Sequence, residues 1–211
     1  MTTTAPATKG SPRTDRRRAI LDAAGPVFGE SGYERASVDA IAAAAGVSKP
    51  TIYSYFDGKE GLFRETMADI ARQVNEASYE VVTSLDLRPE HWQASLHELA
   101  VALTACQTQG CAAALSRLVL AESGRDPEVF DEVRRAGVEP IREALAGRLA
   151  MLGNAGLLNV PDPAVAAQHF IVLTQAHLPE LTAGGTRAGD EQQIDDAVQQ
   201  GVDAFLRAYA R

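Results

Sequence analysis

The sequence predicts an all-α protein. Apolar residues recur at helical spacing along the chain, strand-like alternation is missing, and Gly, Pro and Asp stand where helix ends would fall. The 211 residues, 45% of them hydrophobic and 23% charged, suit one or two globular domains. The pattern places helices at residues 14–31, 37–45, 48–55, 59–85, 89–108, 111–124, 127–153, 163–183 and 190–209.

The beginning of the chain and its cysteines bear on where the protein works. Residues 1–14 lack the apolar segment of a signal peptide, so we expect a disordered basic arm there. No apolar run in the sequence approaches the roughly 18 residues that cross a bilayer. Cys106 and Cys111 are five residues apart and show no metal-ligand spacing. We therefore expect a cytoplasmic protein with no membrane segment, no metal site and no cofactor.

The net charge of −8 is distributed unevenly along the chain. Residues 1–60 contain eight Lys and Arg against seven Asp and Glu, whereas residues 61–211 contain twelve against twenty-one. Contact with nucleic acid requires cationic charge where the two surfaces meet. The charge balance therefore permits such contact in the first part of the chain.

Residues 37–56, SVDAIAAAAGVSKPTIYSYF, predict two short helices joined by a tight turn. Ser37 can cap the first helix, and Gly46 can end it because glycine adopts a positive φ without penalty. Ser48 can cap the second helix. Pro50 then falls in the first turn of that helix, where a missing N–H costs little.

The second of these helices has an inner and an outer side. At 100° per residue, Ile52 and Phe56 point inward together. The outer side and its flanks carry small residues and two tyrosines: Pro50, Thr51, Ser54, Tyr53 and Tyr55. Small residues let a helix lie deep in a major groove about 12 Å wide, and tyrosines can reach phosphates. The outer side therefore suits DNA. The alternative is an ordinary helical corner whose tyrosines cover its core.

Lys59 lies in the first turn of the helix that follows. A cation there opposes the helix dipole, at a cost of a few tenths to about 1 kcal/mol. A contact with a DNA phosphate would explain a residue that helix stability disfavours.

The run from Arg17 to Met67 resembles the DNA-binding domain of the TetR family of transcriptional regulators. The resemblance is carried by Phe28…Gly32-Tyr33 at the end of the first helix, by the helix and turn from Ser37 to Ser48, and by TIYSYF and KEGLF after them. It implies a helix-turn-helix DNA-binding domain at residues 15–60 and a helical ligand-binding and dimerisation domain at 61–211.

The resemblance and the outer helix face together give the predicted DNA contacts: Ser37, Ser48, Lys49, Pro50, Thr51, Tyr53, Ser54, Tyr55 and Lys59. By the resemblance, Ser37 and Lys59 would meet phosphate, and Lys49, Pro50 and Thr51 would lie nearest the bases. Gly25-Pro26 departs from the family pattern. Pro26 removes a backbone hydrogen bond, so we expect it to kink the first helix, at roughly 3 kcal/mol if nothing compensates.

The domain at 61–211 resembles the family only in its architecture, so its pocket and interface are predicted less directly. Candidates to line a ligand pocket are Trp92, Leu96, Leu103, Cys106, Gln107, Leu118, Glu122, Met151, Phe170 and His177. A methionine or aromatic on a helix is as readily part of a packed core, and His169 and His177 also fit a subunit interface.

The last helix carries an apolar stripe at 4-3-4-3 spacing: Ile194, Val198, Gly201, Phe205 and Ala208. In the family, the last two helices usually pair with their copies in a four-helix bundle. We interpret the stripe as a seam of a homodimer. The alternative is that it packs inside its own subunit.

These observations predict a homodimeric regulator, not an enzyme. The sequence contains no glycine-rich phosphate loop, no Gly-x-Ser-x-Gly elbow and no recognisable pair of catalytic carboxylates. We expect a repressor that a small-molecule inducer releases from a palindromic operator in double-stranded DNA. The alternative is a DNA-binding regulator that acts as an activator or without a small-molecule ligand.

Overall fold

A computed structural model describes residues 12–108 and 110–210. The all-α prediction is confirmed: the described chain consists of helices and their connections, and one isolated antiparallel bridge pairs Leu158 with Ala210. No helix of the described part is long and apolar enough to cross a bilayer. The helices are α1 (Pro12–Arg35), α2 (Val38–Ala45), α3 (Lys49–Tyr55), α4 (Gly58–Thr83), α5 (Trp92–Thr108), α6 (Gly110–Ser123), α7 (Pro127–Val133), a π-helical turn (Arg134–Val138), α8 (Glu139–Asn154), α9 (Pro163–Gln175), α10 (Leu178–Leu181) and α11 (Glu191–Tyr209).

The chain divides into two compact units, and the boundary lies inside α4 between Met67 and Ala68. An aromatic cluster holds the first unit together. The rings of Phe28 and Phe63, both fully buried, meet edge to face with centroids 4.9 Å apart, and Tyr33 meets Phe63 in the same way at 5.2 Å. Such pairs add about 0.5–1.5 kcal/mol beyond the area they bury. They fix the first turns of α4 against α1.

The first helix begins earlier than the sequence predicts. Residues 12 and 13, expected in the disordered arm, belong to α1. Proline suits the first turn of a helix because the N–H that it lacks would have no partner there, which explains a start at Pro12. The rest of the predicted arm lies outside the described residues. Within α1 the non-helical dihedral angles lie at Gly32 (φ 69°, ψ 176°) rather than at Pro26, because glycine tolerates a positive φ.

The helix predicted at 127–153 is interrupted by the π-helical turn. Pro140 has no N–H to donate one turn back, which weakens the α-helical ladder at this point. The backbone forms a π-helical hydrogen bond instead, in which the N–H of Glu139 donates to the carbonyl of Arg134, five residues earlier. The helix predicted at 163–183 is also divided, since α9 ends at Gln175 and α10 is a single turn.

The π-helical turn lies directly against α4. Gly137 is buried there, and a Cβ at this position would come within 3.1 Å of the Cβ of Ala71 and would collide with the side-chain amide of Asn75. A side chain at residue 137 would therefore displace the Asn75 amide and crowd Ala71. Glycine favours this close approach.

The core of the second unit lies between α5, α8, α9 and α11. Phe170 of α9 and Phe205 of α11 are fully buried and meet edge to face at 5.1 Å. Tyr209 stacks on Phe205 at 4.6 Å, and its hydroxyl lies 2.7 Å from Nδ1 of His169. Burial of each of these phenylalanines is worth about 1.5–3 kcal/mol. These contacts hold α9 and α11 together.

The apolar stripe of α11 is used inside its own subunit. Val198 and Phe205 are fully buried in the core, and Ile194 packs against it. A Cβ on Gly201 would lie 2.6 Å from the Cα of Thr174 on α9. The prediction that Ile194, Val198, Gly201 and Phe205 form a dimer seam is therefore wrong, because α9 already occupies that face of the helix.

Candidate nucleic-acid interface

Three capping interactions build the corner between α2 and α3. The Oγ of Ser37 accepts a hydrogen bond from the N–H of Ala40 at 3.4 Å and starts α2. Gly46 ends the helix in the left-handed conformation, at φ 66°. The Oγ of Ser48 then accepts from the N–H of Thr51 at 3.3 Å and starts α3. The predicted helix-turn-helix geometry is present.

Two buried side chains anchor α3. A seven-residue helix is not stable by itself in water, so its position depends on packing. Ile52 is completely buried and Phe56 nearly so. The guanidinium of Arg17, on α1, lies 5.5 Å from the centre of the Phe56 ring and covers it. These contacts hold α3 with its opposite side facing solvent.

The solvent-facing side of α3 carries the predicted contact residues. Pro50, Tyr53 and Ser54 are exposed, and Tyr53 shows 46% of its full accessible surface. Lys49, Thr51 and Tyr55 are partly buried. We call this surface the recognition face: Lys49, Pro50, Thr51, Tyr53, Ser54 and Tyr55. The structure brings these side chains together on one short helix. Their contacts with DNA remain predictions.

Hydroxyl groups on this face are partly committed to local hydrogen bonds. The Oγ of Ser54 donates to the carbonyl of Thr51 at 2.7 Å, so it offers only acceptor lone pairs outward. The hydroxyl oxygens of Thr51 and Ser48 lie 2.7 Å apart, so one hydroxyl donates a hydrogen bond to the other. Because the Thr51 hydroxyl is tied to the cap, its methyl group is the part left for an apolar contact.

Lys49 forms an ion pair that was not predicted from the sequence. Its Nζ lies 3.0 Å from Oδ2 of Asp39, in the first turn of α2. The hydrogen bond to Asp39 and the charge of its carboxylate raise the pKa of Lys49 above its ordinary value. Any base or phosphate that binds this ammonium group has to compete with Asp39.

Lys59 has partners within the first unit. Its Nζ donates to the carbonyl of Glu34 at 3.0 Å and lies 4.7 Å from the centre of the Tyr33 ring. A cation is favourable at the carbonyl end of α1, although it opposes the dipole of α4. A phosphate is therefore not needed to explain this lysine, and its contact with DNA remains a prediction.

Two arginines of α1, which were not among the predicted contacts, border the recognition face. Arg13 lies over the ring of Tyr55, with its guanidinium carbon 5.6 Å from the ring centre. Arg17 pairs with Glu65 as well as covering Phe56. Their i, i+4 spacing just before the first buried residue of α1 is the signal that could have indicated a shared helix face.

The ten residues predicted to line a ligand pocket differ in burial. Four of its residues are buried in the core of the second unit: Trp92, Leu96, Leu103 and Phe170. Met151 and Gln107 are exposed on their helices, and His177 is exposed in the turn between α9 and α10, so their assignment to a pocket stays a prediction. Cys106, Leu118 and Glu122 are partly buried, and their assignment remains a prediction.

A groove of about 610 Å³ lies elsewhere in the second unit, between α4 and the π-helical turn. Its α4 wall is polar apart from Tyr79, which is 48% exposed, and its other wall is small and apolar. The lining residues are Arg72, Gln73, Asn75, Glu76, Tyr79, Glu80, Thr83, Ala136, Gly137, Pro140 and Ile141. None of the ten predicted pocket residues lines this groove. It was missed because it depends on the π-helical turn, which the sequence pattern does not show.

Metal binding was not expected. Among residues 12–108 and 110–210, no three or more His, Cys, Asp or Glu side chains are grouped so that they could hold a metal ion. The side chain of Cys111 lies outside the described part.

Two family models match the chain. One describes bacterial regulatory proteins of the tetR family and matches residues 20–66, which contain the helix-turn-helix corner. The other describes the C-terminal domain of AefR-like transcriptional repressors and matches residues 94–211, more than half of the chain. The protein belongs to the TetR family. It is a DNA-binding transcriptional regulator.

Solved structures of TetR-family regulators share the fold over almost the whole chain. A protein from Mesorhizobium loti MAFF303099 assigned to the family superposes with a TM-score of 0.85 and 29% identity, over 96% of this chain and 100% of its own. The flavonoid-responsive regulator FrrA superposes with a TM-score of 0.75 and 29% identity, over 93% of this chain and 98% of its own. The two-unit architecture is therefore that of the family.

Curated relatives of the helix-turn-helix type match in the DNA-binding part. The regulator YhgD of Bacillus subtilis is 35% identical over 68 residues, 32% of this chain and 36% of its own. The transcriptional activator FasR of Mycolicibacterium smegmatis is 48% identical over 52 residues, 25% of this chain and 24% of its own. The chain thus spans only about a quarter to a third of the length of these relatives.

Proposed function

We propose that this TetR-family regulator is a homodimeric repressor that binds a palindromic operator and is released from it by a small-molecule inducer. The observation that carries the proposal is the recognition face, which is held outward on a capped and anchored α3. In a dimer, two such helices would enter successive major grooves about 34–36 Å apart. Lys49, Pro50 and Thr51 would lie nearest the bases, and Ser37, Tyr53, Tyr55 and Lys59 nearest the phosphates.

Repression is supported by the second unit. The AefR-like repressor model matches residues 94–211, the part of the chain beyond the helix-turn-helix corner. The repressor ComR of Escherichia coli is 41% identical over 59 residues. The match to the activator FasR covers 52 residues, about as short a segment. Such short matches describe the DNA-binding part and leave the sign of regulation to the second unit and the operator position.

The inducer site that we propose is the groove between α4 and the π-helical turn. It combines an exposed aromatic ring, Tyr79, with an apolar wall around Pro140 and Ile141, and it suits a flat molecule with polar edges. The family relative FrrA is described as flavonoid-responsive, which supports the same ligand class. Since α4 also contains the unit boundary, a ligand that displaces it would act on the first unit.

The dimer surface that we propose is the outer side of α9, in place of the seam discussed above. Val165 and Val172 stand two turns apart on this helix and are 45% and 52% exposed. Ala208 of α11 is also exposed and small. By the family resemblance, α9 and α11 would meet their copies in a four-helix bundle.

Selection from a random DNA pool by the full chain tests the operator. An inverted repeat with half-site centres one helical turn apart should be enriched, and enrichment of no sequence would overturn the proposal. A reporter gene behind the selected operator should be silenced by the protein and restored by the inducer. Activation of the reporter would instead support the alternative reading.

The inducer and the dimer need separate measurements. Flavonoids that bind the folded state should raise the melting temperature, and operator DNA should weaken their binding by the same factor that they weaken operator binding. For the dimer, Val172→Glu should give folded monomers in sedimentation. Leu120→Glu is the matched control, because Leu120 is 75% exposed on α6 and its change should leave the dimer intact.

A further inference from the structure

We propose that Arg13 and Arg16 of α1 form a second DNA-contact surface beside the recognition face and bind backbone phosphates flanking each half-site. The inference deepens the proposed function and rests on α3 being the DNA-reading helix. It concerns a binding surface that the helix-turn-helix corner does not contain. The ligand chemistry is the phosphodiester of double-stranded DNA.

The contact between Arg13 and Tyr55 carries the inference. The guanidinium of Arg13 lies over the Tyr55 ring at 5.6 Å, and Tyr55 is the last residue of α3. The Tyr55 ring also lies beside the ring of Phe56, with centroids 6.4 Å apart. Arg13 and Phe56 therefore both contact the Tyr55 ring. This arrangement places a permanent cation at the edge of the recognition face. A phosphate within reach of the Tyr55 hydroxyl is also within reach of Arg13.

The start of α1 is rich in arginine, and its arginines divide into two kinds. Arg17 and Arg18 have acidic partners inside the first unit, Glu65 and Asp22; the Nε of Arg18 donates to Asp22 at 2.9 Å. In the described part of the chain, no acidic side chain lies within ion-pair distance of Arg13 or Arg16, and both are exposed. Two of the four guanidinium groups therefore remain uncompensated.

The uncompensated pair lies on one side of the helix. Arg13 and Arg16 are three residues apart and so are neighbours on the helix surface. Asp15, the acidic residue between them, is about 200° from Arg13 around the helix and points away from Tyr55. Arg13 and Arg16 therefore form a cationic patch with no ion-pair partner among the described residues, whereas Arg17 beside them is paired with Glu65.

Guanidinium groups in this position suit phosphate. Arginine presents a planar set of donors that matches two phosphate oxygens, and an exposed side chain gives up little solvation to make the contact. Because the whole chain carries a net charge of −8, such local positive charge is the main attraction for DNA. Continuity with the recognition face identifies the partner as the same duplex.

Salt dependence of binding by the full chain tests the surface. Arg13→Gln and Arg16→Gln in one variant should lower the slope of log K against log salt by about 0.9 for each lost phosphate contact, thus by roughly 1.8 per bound subunit. The loss should be equal for the selected operator and for a random duplex, because phosphates carry no sequence information. Arg187→Gln, an exposed arginine of the second unit, is the matched control and should leave the slope unchanged.

A double-mutant cycle separates phosphate binding from a purely structural role. Arg13→Lys keeps the charge and should retain most of the slope, whereas Tyr55→Leu removes the ring that positions Arg13. If the pair acts as a unit, Arg13→Gln should cost several-fold in affinity in the wild type and much less in the Tyr55→Leu background.

An unchanged slope in the double arginine variant, with wild-type operator binding intact, would overturn this inference and leave the proposed function standing. Failure of the wild type to bind any selected duplex would instead overturn the proposed operator. A lowered melting temperature without a change of slope would assign Arg13 a structural role and would also contradict the inference.

Discussion

Lys49 Nζ lies 3.0 Å from Asp39 Oδ2, so the first residue of the recognition helix is tied to the first turn of the helix before it. In the proposed complex, the carboxylate and the DNA compete for the same ammonium group. Because the ion pair raises the pKa of Lys49, its stabilising effect is present below the ordinary lysine value and is lost only as the pH rises through the raised one. Near neutral pH the competition is therefore independent of proton uptake.

Asp39→Asn should strengthen DNA binding several-fold. The change frees Lys49 for the duplex and removes a negative charge beside it, so affinity should rise and the salt slope should become steeper. Fluorescence anisotropy over a range of salt concentrations measures both quantities. Asp196→Asn makes the same change of net charge on α11 and should have little effect. An equal response of the two variants would mean that only net charge matters.

Lys59→Gln should separate the contact of residue 59 with α1 from its predicted contact with a DNA phosphate. Glutamine can still donate to the carbonyl of Glu34, but it carries no charge for a phosphate. If Lys59 contacts DNA, the salt slope should fall by about 0.9 per subunit, equally for operator and random DNA. Tyr33→Leu removes the ring beside Lys59 and should lower the melting temperature with no change of slope. If Lys59→Gln leaves the salt slope unchanged, Lys59 does not contact a phosphate, and its contact with α1 is its only role.

Thr51→Ala should cost about 1 kcal/mol on the selected operator and little on random DNA, because the threonine methyl would contact a thymine methyl. Thr51→Val keeps the methyl group and loses the hydroxyl that meets Ser48 at 2.7 Å. Valine should therefore retain operator affinity, with a small loss of α3 stability. Competition binding with both duplexes measures the difference. Equal losses for valine and alanine would show that the hydroxyl is the contacting group.

Gly201→Ala should destabilise the subunit by about 1–3 kcal/mol, since the added methyl group meets the backbone of α9 at Thr174. In a protein of this size that is a fall in melting temperature of roughly 2–12 °C. Gly147 of α8 is the matched control because a Cβ there has open space, and Gly147→Ala should stabilise by up to about 1 kcal/mol. Differential scanning calorimetry compares them. A folded, monomeric Gly201 variant of unchanged stability would return this residue to the subunit interface.

Asp86 should respond to acid only at very low pH. Hydrogen bonds from Arg88, whose Nε lies 2.9 Å from Oδ2, lower the pKa of Asp86 to about 2. Because the folded pKa is depressed, the stabilising effect is complete above the ordinary value near pH 4 and is lost as the pH falls through about 2. Arg88→Ala should bring the pKa back toward the ordinary value. An NMR titration of the carboxyl carbon checks both.

The helix-turn-helix corner could be predicted because its signals are local. Ser37, Gly46 and Ser48 act on backbone groups within four residues of themselves, so the sequence around each one is sufficient to place it. Pro26 shows the limit of such rules. The sequence marks it as a break, yet the non-helical dihedrals lie at Gly32, where a positive φ is readily adopted.

Contacts between distant residues could not be predicted in the same way. An apolar stripe at 4-3-4-3 spacing has the same pattern whether it meets α9 of its own subunit or a copy of itself, and Gly201 fits either. Arg13 meets Tyr55 across 42 residues, and no spacing rule connects them. Pocket residues are harder still to predict. Leu96 is buried and Met151 is exposed, yet both are apolar side chains on helices and look alike in the sequence.

The π-helical turn at Arg134–Val138 has a consequence for the timescale of local opening. Its hydrogen bonds are longer-range and fewer than those of the flanking α7 and α8, so its amide protons should exchange with solvent sooner than theirs. Gly137 adds to this, since it contributes no side chain to hold the turn in place. A molecule lying in the groove against α4 would shield those same amides. A lower deuterium uptake over the five residues Arg134–Val138 would then report that the groove is occupied, with no need for DNA in the sample.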